Sequence, residues 1–146
     1  MTDWSHRIRA ARGDEDAAAL AELSTQLGYP TTEDQVRERI ALLDDPERDL
    51  LVADGPAGLA GFIDVHVQRT IEADPYGEVG GLVVAAAHRG TGLGAALLEA
   101  AAVWSRDRDL RHLWIRANLA RVGPHEFYEA VGCSVVKDQR VYDYPL

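Results

Sequence analysis

Arg89-Gly90-Thr91-Gly92-Leu93-Gly94 joins an apolar run, Leu82-Val83-Val84, to a segment whose apolar residues recur at helical spacing from Leu93 to Trp104. The order reads as strand, glycine loop, helix. Three glycines at the opening of a helix leave backbone N–H groups unobstructed at the positive end of the helix dipole, an arrangement that binds phosphate. Arg89 adds a fixed positive charge and a fork of donors suited to phosphate oxygens. Residues Arg89, Gly90, Thr91, Gly92, Leu93 and Gly94 therefore predict a pyrophosphate cradle.

Three phosphate-binding designs share such glycines. A Walker-type loop ends in Gly-Lys-Ser/Thr, whereas this chain continues Gly94-Ala95-Ala96, which excludes triphosphate hydrolysis of that kind. Gly90-Thr91-Gly92-Leu93-Gly94-Ala95 satisfies the dinucleotide fingerprint formally. That fingerprint, however, follows its strand directly and opens its domain, while here Ala85 to Arg89 intervene and most of the chain comes first. The third design is the Arg/Gln-x-x-Gly-x-Gly/Ala loop of coenzyme A acyltransferases, and Arg89, Gly92 and Gly94 fill its fixed positions. A second pattern follows it: Arg116-x-Asn118-x-x-Arg121-x-x-x-His125-x-Phe127-Tyr128-x-x-x-Gly132. With both patterns in this order, the chain resembles the GNAT superfamily of acetyl-CoA-dependent N-acetyltransferases, closely over Glu78 to Gly132 and loosely throughout.

The resemblance implies a single α/β (α+β) domain over residues 1–146. Its sheet would be mixed and mostly antiparallel, of six to seven strands with a splayed central pair, beside about four helices. It implies acetyl-CoA as cosubstrate, no metal, and direct attack of a primary amine on the thioester in a ternary complex. Such a transfer requires the thioester held, its carbonyl polarised, the amine delivered neutral and the leaving thiolate protonated. By position relative to Arg89, the backbone of Leu82, Val83 and Val84 would hold the pantetheine arm and polarise the carbonyl; the same residues also read as buried strand. Tyr128 would protonate the thiolate, since a phenol stays protonated at neutral pH and can still donate to sulfur. Asn118 would orient the sulfur or end its strand in a turn, and Arg121 would contact the 3′-phosphate or cap its helix.

Glu78, eleven residues before Arg89, is the first candidate for the base. A carboxylate takes a proton from an ammonium only if burial raises its proton affinity or the amine's is lowered. Two-residue alternation puts Glu78 on the face of Gly80 and Leu82. Asp64 and His66, on the polar face of the preceding strand, are alternatives. Tyr29, Glu33, Asp64, His66, Glu72 and Tyr76 lie on segments expected around the acceptor, a small-molecule amine. Cys133 stands where an aromatic is usual after Gly132, and no Cys/His spacing suggests a metal. A non-catalytic acyl-CoA-binding module and a dinucleotide-dependent oxidoreductase are the competing readings.

Bulk properties bound these readings. The 146 residues suit one domain that buries roughly two-thirds of its unfolded surface. Net charge −9 argues against nucleic acid, which calls for a basic patch, and favours a cationic acceptor. No apolar run approaches the roughly 20 residues of a membrane span, and Met1 to His6 lacks a secretion-signal core, so membrane partners are not expected. One cysteine, Cys133, is compatible with the cytoplasm. A homodimer paired through the terminal strands is compatible with the resemblance.

Along the chain, Ile8 to Ala11 reads as a strand and Asp14 to Leu27 as a helix with Leu20, Leu23 and Leu27 in one stripe. Thr32 caps a second helix, with Gln35 in capping-box position and Val36, Ile40 and Leu43 inward. Strands follow at Leu50 to Ala53, Leu59 to Arg69 and Glu78 to Val84. After the glycine helix come a strand at His112 to Ala117, a helix at Pro124 to Val131, and two strands within Ser134 to Tyr144.

Overall fold

The computed structural model describes residues 2–120 and 122–146. The chain forms two compact units, Met1–Arg116 and Ala117–Leu146. The first holds a five-stranded sheet in the order β1-β2-β3-β4-β5: Ile8–Ala10, Arg48–Gly55, Gly58–Gln68, Tyr76–Val84 and Leu113–Ile115. The first four strands run antiparallel to their neighbours, and β5 lies parallel to β4. Helices α1 (Gly13–Gln26), α2 (Glu33–Leu42) and α3 (Leu93–Arg106) belong to the same unit.

Each helix begins where local chemistry predicts. Three acidic residues, Asp14, Glu15 and Asp16, occupy the first turn of α1, where the dipole favours negative charge. Thr32 and Gln35 form a reciprocal capping box at α2: the Thr32 side chain accepts from Gln35 N at 3.2 Å, and the Gln35 side chain accepts from Thr32 N at 3.0 Å. The apolar stripe of α3, Leu93, Leu97, Ala101 and Trp104, packs on Ile63, Val65 and Val79. On the opposite face Ala17, Leu20 and Ala21 of α1 and Val36 of α2 pack on Val52. Trp4, which carries no periodic signal, is buried with the α3 layer.

Two features of β4 shape everything near it. Its ladder to β5 covers only Gly77, Glu78 and Val79, opposite Leu113, Trp114 and Ile115. Its register with β3 slips at Gly80: Val65 pairs with Val79, but Asp64 pairs with Gly81. An extra residue of this kind inverts the alternation beyond it. Glu78 therefore shares its face with His66, its register partner, and with Asp64, Gly81 and Val83. The alternation holds from Glu78 to Gly80, where a Cβ would meet the Asp64 carboxylate, and the bulge moves Leu82 off that face to lie opposite Ile63.

The second unit contains one helix, α4 (Val122–Ala130). Residues 133–146 carry no regular secondary structure, so the expected strands within Ser134 to Tyr144 are absent, and among the described residues the sheet has five strands rather than six or seven. Alternating apolar residues supply strand propensity, but a strand also needs a partner edge, which a local pattern does not specify.

Candidate active site

The glycine loop takes the shape its composition requires. After β4 a short 3-10 turn, Ala86–His88, leads to Arg89. Gly90 and Gly92 follow at φ +75° and +85°, in the left-handed region that favours glycine. Gly92 is the N-cap of α3 and no side chain caps that first turn. The N–H groups of Leu93, Gly94 and Ala95 thus lack helical acceptors. A Cβ built on Gly90 would meet nothing within 4 Å, so the loop's outer side is open. Arg89 is exposed and makes no ion pair among the described residues. The site offers an anion several N–H groups, a guanidinium and free space, which fits a diphosphate.

Trp4 fixes the loop from behind. Its Nε1–H donates to Thr91 Oγ1 at 3.2 Å and lies 3.3 Å from the Thr91 carbonyl oxygen, and its ring meets His88 edge-on at 5.4 Å. Thr91 Oγ1 in turn donates to the His88 carbonyl. A cavity of about 370 Å³ opens alongside, lined by Trp4, Thr91, Gly92 and Ala96 among others. Sequence reasoning gave Trp4 no role, because 87 residues separate it from Thr91.

A polar cluster occupies one face of β3 and β4. Glu78 Oε1 accepts from Arg116 Nε at 2.6 Å, and Glu78 Oε2 lies 3.8 Å from His66 Nε2. Glu78 and His66 are largely enclosed, with side chains 12% and 15% exposed. Arg116 is held more strongly protonated by this carboxylate, with Tyr76 adding to it. Asp64, two residues before His66 on the same face, has a buried Oδ1 with no hydrogen-bond partner among the described residues, and His66 Nδ1 is likewise buried and unpartnered among them. Burial pushes the Asp64 carboxyl above its ordinary range, while His66 and Arg48 oppose that shift. Tyr76 is buried, with its ring 4.6 Å from that of Trp114.

The structure thus gathers Asp64, His66, Glu78 and Tyr76 from the expected set and adds Arg116, which the sequence displayed only as a motif position. Leu82 and Val84 pack against the α3 layer, Val83 is buried, and on the β5 side the ladder has already ended at Val79. Tyr29 is 64% exposed in the turn after α1. Glu33 is engaged by Arg37 within α2, and Glu72 is exposed.

In the second unit, Asn118 Oδ1 accepts from Ala120 N at 2.9 Å, a local turn bond, and the Asn118 carbonyl lies 2.8 Å from His125 Nε2. Tyr128 packs edge-on against Phe127 with ring centroids 5.2 Å apart. Its phenol is pushed above the ordinary value by burial, with Cys133 adding to the effect. The Cys133 thiol is itself pushed up by burial. Arg121 lies outside the described residues. Among the described residues no group of three or more His, Cys, Asp or Glu side chains is arranged to hold a metal ion, and no helix is long and apolar enough to cross a membrane.

In fold the chain is of the acetyltransferase type. It superposes with TM-score 0.81 on the aminoglycoside 6′-N-acetyltransferase AAC(6′)-Ih of Acinetobacter baumannii, at 15% identity over 95% of this chain and 97% of that one. A glucosamine-6-phosphate N-acetyltransferase of Arabidopsis thaliana gives TM-score 0.80 at 18% identity, over 95% and 98%. In sequence, 136 residues are 32% identical to an aminoglycoside N(6′)-acetyltransferase type 1 of Stenotrophomonas maltophilia, covering 90% of this chain and 88% of that protein. Residues 15–133 match the model of the acetyltransferase (GNAT) family, and the chain belongs to that family. It is an N-acetyltransferase, moving an acetyl group onto an amine.

Proposed function

We propose that the protein transfers the acetyl group of acetyl-CoA to a primary amine of a small molecule, by direct attack within a ternary complex. The observation that carries the donor assignment is the loop: two left-handed glycines open a helix with no side-chain cap, beside an exposed Arg89 that makes no ion pair among the described residues. The diphosphate of acetyl-CoA lies on Arg89, Gly90, Thr91, Gly92, Leu93 and Gly94. Its pantetheine arm runs along Leu82, Val83 and Val84, beyond the point at which the β4–β5 ladder ends at Val79. Asn118 and Arg121 complete the cofactor contacts.

The amine enters over the face of β3 and β4 and loses its proton to the cluster of Glu78, His66 and Asp64, with Tyr29 and Tyr76 bounding the acceptor. Attack forms the C–N bond, the C–S bond breaks, and Tyr128 gives its proton to the departing sulfur. The raised proton affinity of Tyr128 keeps its phenol protonated across neutral pH, the state in which it has a proton to give. An aminoglycoside acceptor is supported by the relative from Stenotrophomonas, and the net charge of −9 suits a cationic substrate.

The family match from 15 to 133 runs through both compact units and supports reading 1–146 as one domain. A cytoplasmic setting is supported by the lone thiol of Cys133. A homodimer would cover the exposed Val135, Val136, Val141, Tyr142 and Tyr144.

The test is thermal stabilisation by coenzyme A, acetyl-CoA and NADH, followed by thiol release with kanamycin A, spermidine and glucosamine 6-phosphate as acceptors. Stabilisation by both coenzyme A forms and thiol release with at least one amine are expected. Stabilisation by NADH alone would overturn the donor assignment. Tyr128→Phe is expected to cut turnover at least about tenfold with acetyl-CoA affinity nearly unchanged. Unaltered turnover would remove Tyr128 from the mechanism.

A further inference from the structure

We infer that Asp64 is the carboxylate that takes the proton of the acceptor's ammonium group, and that Glu78 is a positioning residue for the cluster. The inference rests on the acetyl-transfer reading above and assigns the base that it leaves among three residues.

Glu78 is already occupied. One oxygen is hydrogen-bonded to Arg116 at 2.6 Å and the other faces His66 Nε2 at 3.8 Å. An ammonium arriving there meets a carboxylate whose charge is already matched by the Arg116 guanidinium. Asp64 makes no ion pair among the described residues, and its Oδ1 is buried without a partner. A buried carboxylate oxygen left bare is costly to maintain and is a standing acceptor for an incoming donor. Two residues along the same face, His66 Nδ1 is bare as well. A primary ammonium carries three donors, enough to engage Asp64 and still meet its surroundings.

Position supports the same residue. Gly80, exposed at the bulge, lies beneath the Asp64 carboxylate: a Cβ there would stand 3.0 Å from Oδ2. At Gly80 the pairing with β3 slips and that with β5 has ended, so the backbone leading into Leu82 is out of register on both sides. Asp64 therefore overhangs the start of the stretch proposed to hold the acyl arm. Groups acting on it are His66 from its own strand and Arg48 from β2, both favouring its charged form, while burial outweighs them and strengthens its hold on a proton.

In the step, R–NH3+ gives one proton to the Asp64 carboxylate. The neutral amine adds to the thioester carbonyl carbon, the C–S bond breaks as Tyr128 protonates the sulfur, and the second nitrogen proton passes through solvent to restore the Tyr128 phenol. Asp64 then releases its proton to solvent.

The experiment compares Asp64→Asn and Glu78→Gln with wild type, using acetyl-CoA and whichever of kanamycin A, spermidine and glucosamine 6-phosphate is acetylated, from about pH 5.5 to 9.5. Asp64→Asn is expected to lower kcat/KM about a hundredfold near neutrality, to lose the acid limb of the profile, and to recover as rising pH neutralises the amine itself. Glu78→Gln is expected to lose about tenfold and keep the limb. Acetyl-CoA affinity within twofold of wild type in both variants, by calorimetry, shows that folding is intact. Asp64→Asn within threefold of wild type with the limb retained overturns the inference. So does loss of the limb in Glu78→Gln alone. A wild-type protein that acetylates none of these amines fells the acetyl-transfer reading itself, and the inference with it.

Discussion

Gly92 and Gly90 carry the phosphate loop through backbone angles that a side chain would strain, at φ +85° and +75°. Gly92→Ala is expected to cost about 1–2 kcal/mol in urea melts, the usual penalty for a Cβ in the left-handed region. It should also weaken coenzyme A binding in calorimetry, because relief of the strain turns the N–H groups of α3 away. Intact affinity in a destabilised variant would separate the loop from phosphate recognition. The residue-scale signal here was legible because glycine spacing reports local backbone geometry. Asp64 was legible as an alternative base on the polar face, but neither its bare oxygen nor Arg116's hold on Glu78 follows from spacing along one strand. Trp4 offered no signal, its partner Thr91 lying far along the chain.

At the scale of elements, periodicity and capping carried the reading. Helix α2 begins at Glu33 because Thr32 and Gln35 satisfy each other's backbone donors. Thr32→Ala is expected to lower stability by about 1 kcal/mol in thermal or urea unfolding, leaving turnover near wild type. A loss of turnover without loss of stability would tie α2 to the acceptor instead. Helices α1, α2 and α3 and strands β2 to β4 were legible to within a few residues, since each buries one periodic face. The bulge was not read, although Gly80-Gly81 within a strand is its local sign. It turned Leu82 off the face that Glu78 shares with His66 and Asp64, and brought Gly81 and Val83 onto it. The absent terminal strands show the other limit: residues 134–144 have the alternation of strands without a partner edge in the sheet.

For the whole molecule, pH acts through two carboxylates of opposite sense. Asp16 is buried at the start of α1, receives both Arg9 terminal nitrogens at 2.8 and 3.0 Å, and accepts from Arg12 N at 2.7 Å. Arg9 also grips Asp54 on β2, so the pair ties β1, α1 and β2 together. The Arg9 hydrogen bond, foremost, holds the Asp16 carboxyl below its ordinary value. A group depressed in the folded state stabilises above its unfolded pKa, and that contribution is lost as pH falls through the folded one. Asp64 is shifted upward by burial, so it favours the fold when protonated and loses that advantage as pH rises through its folded value. Asp64→Asn should therefore raise stability near neutrality and change it less near pH 4, whereas Asp16→Asn should lower it near neutrality and flatten the acid decline. Arg9→Met, which strands Asp16 without its cation, is expected to cost about 3 kcal/mol. Urea melts across the acid range decide the matter. Parallel stability curves for wild type and Asp16→Asn would mean that the Arg9 pair contributes nothing to acid sensitivity, and a destabilised Asp64→Asn at neutral pH would mean that its carboxylate has a partner in the folded protein.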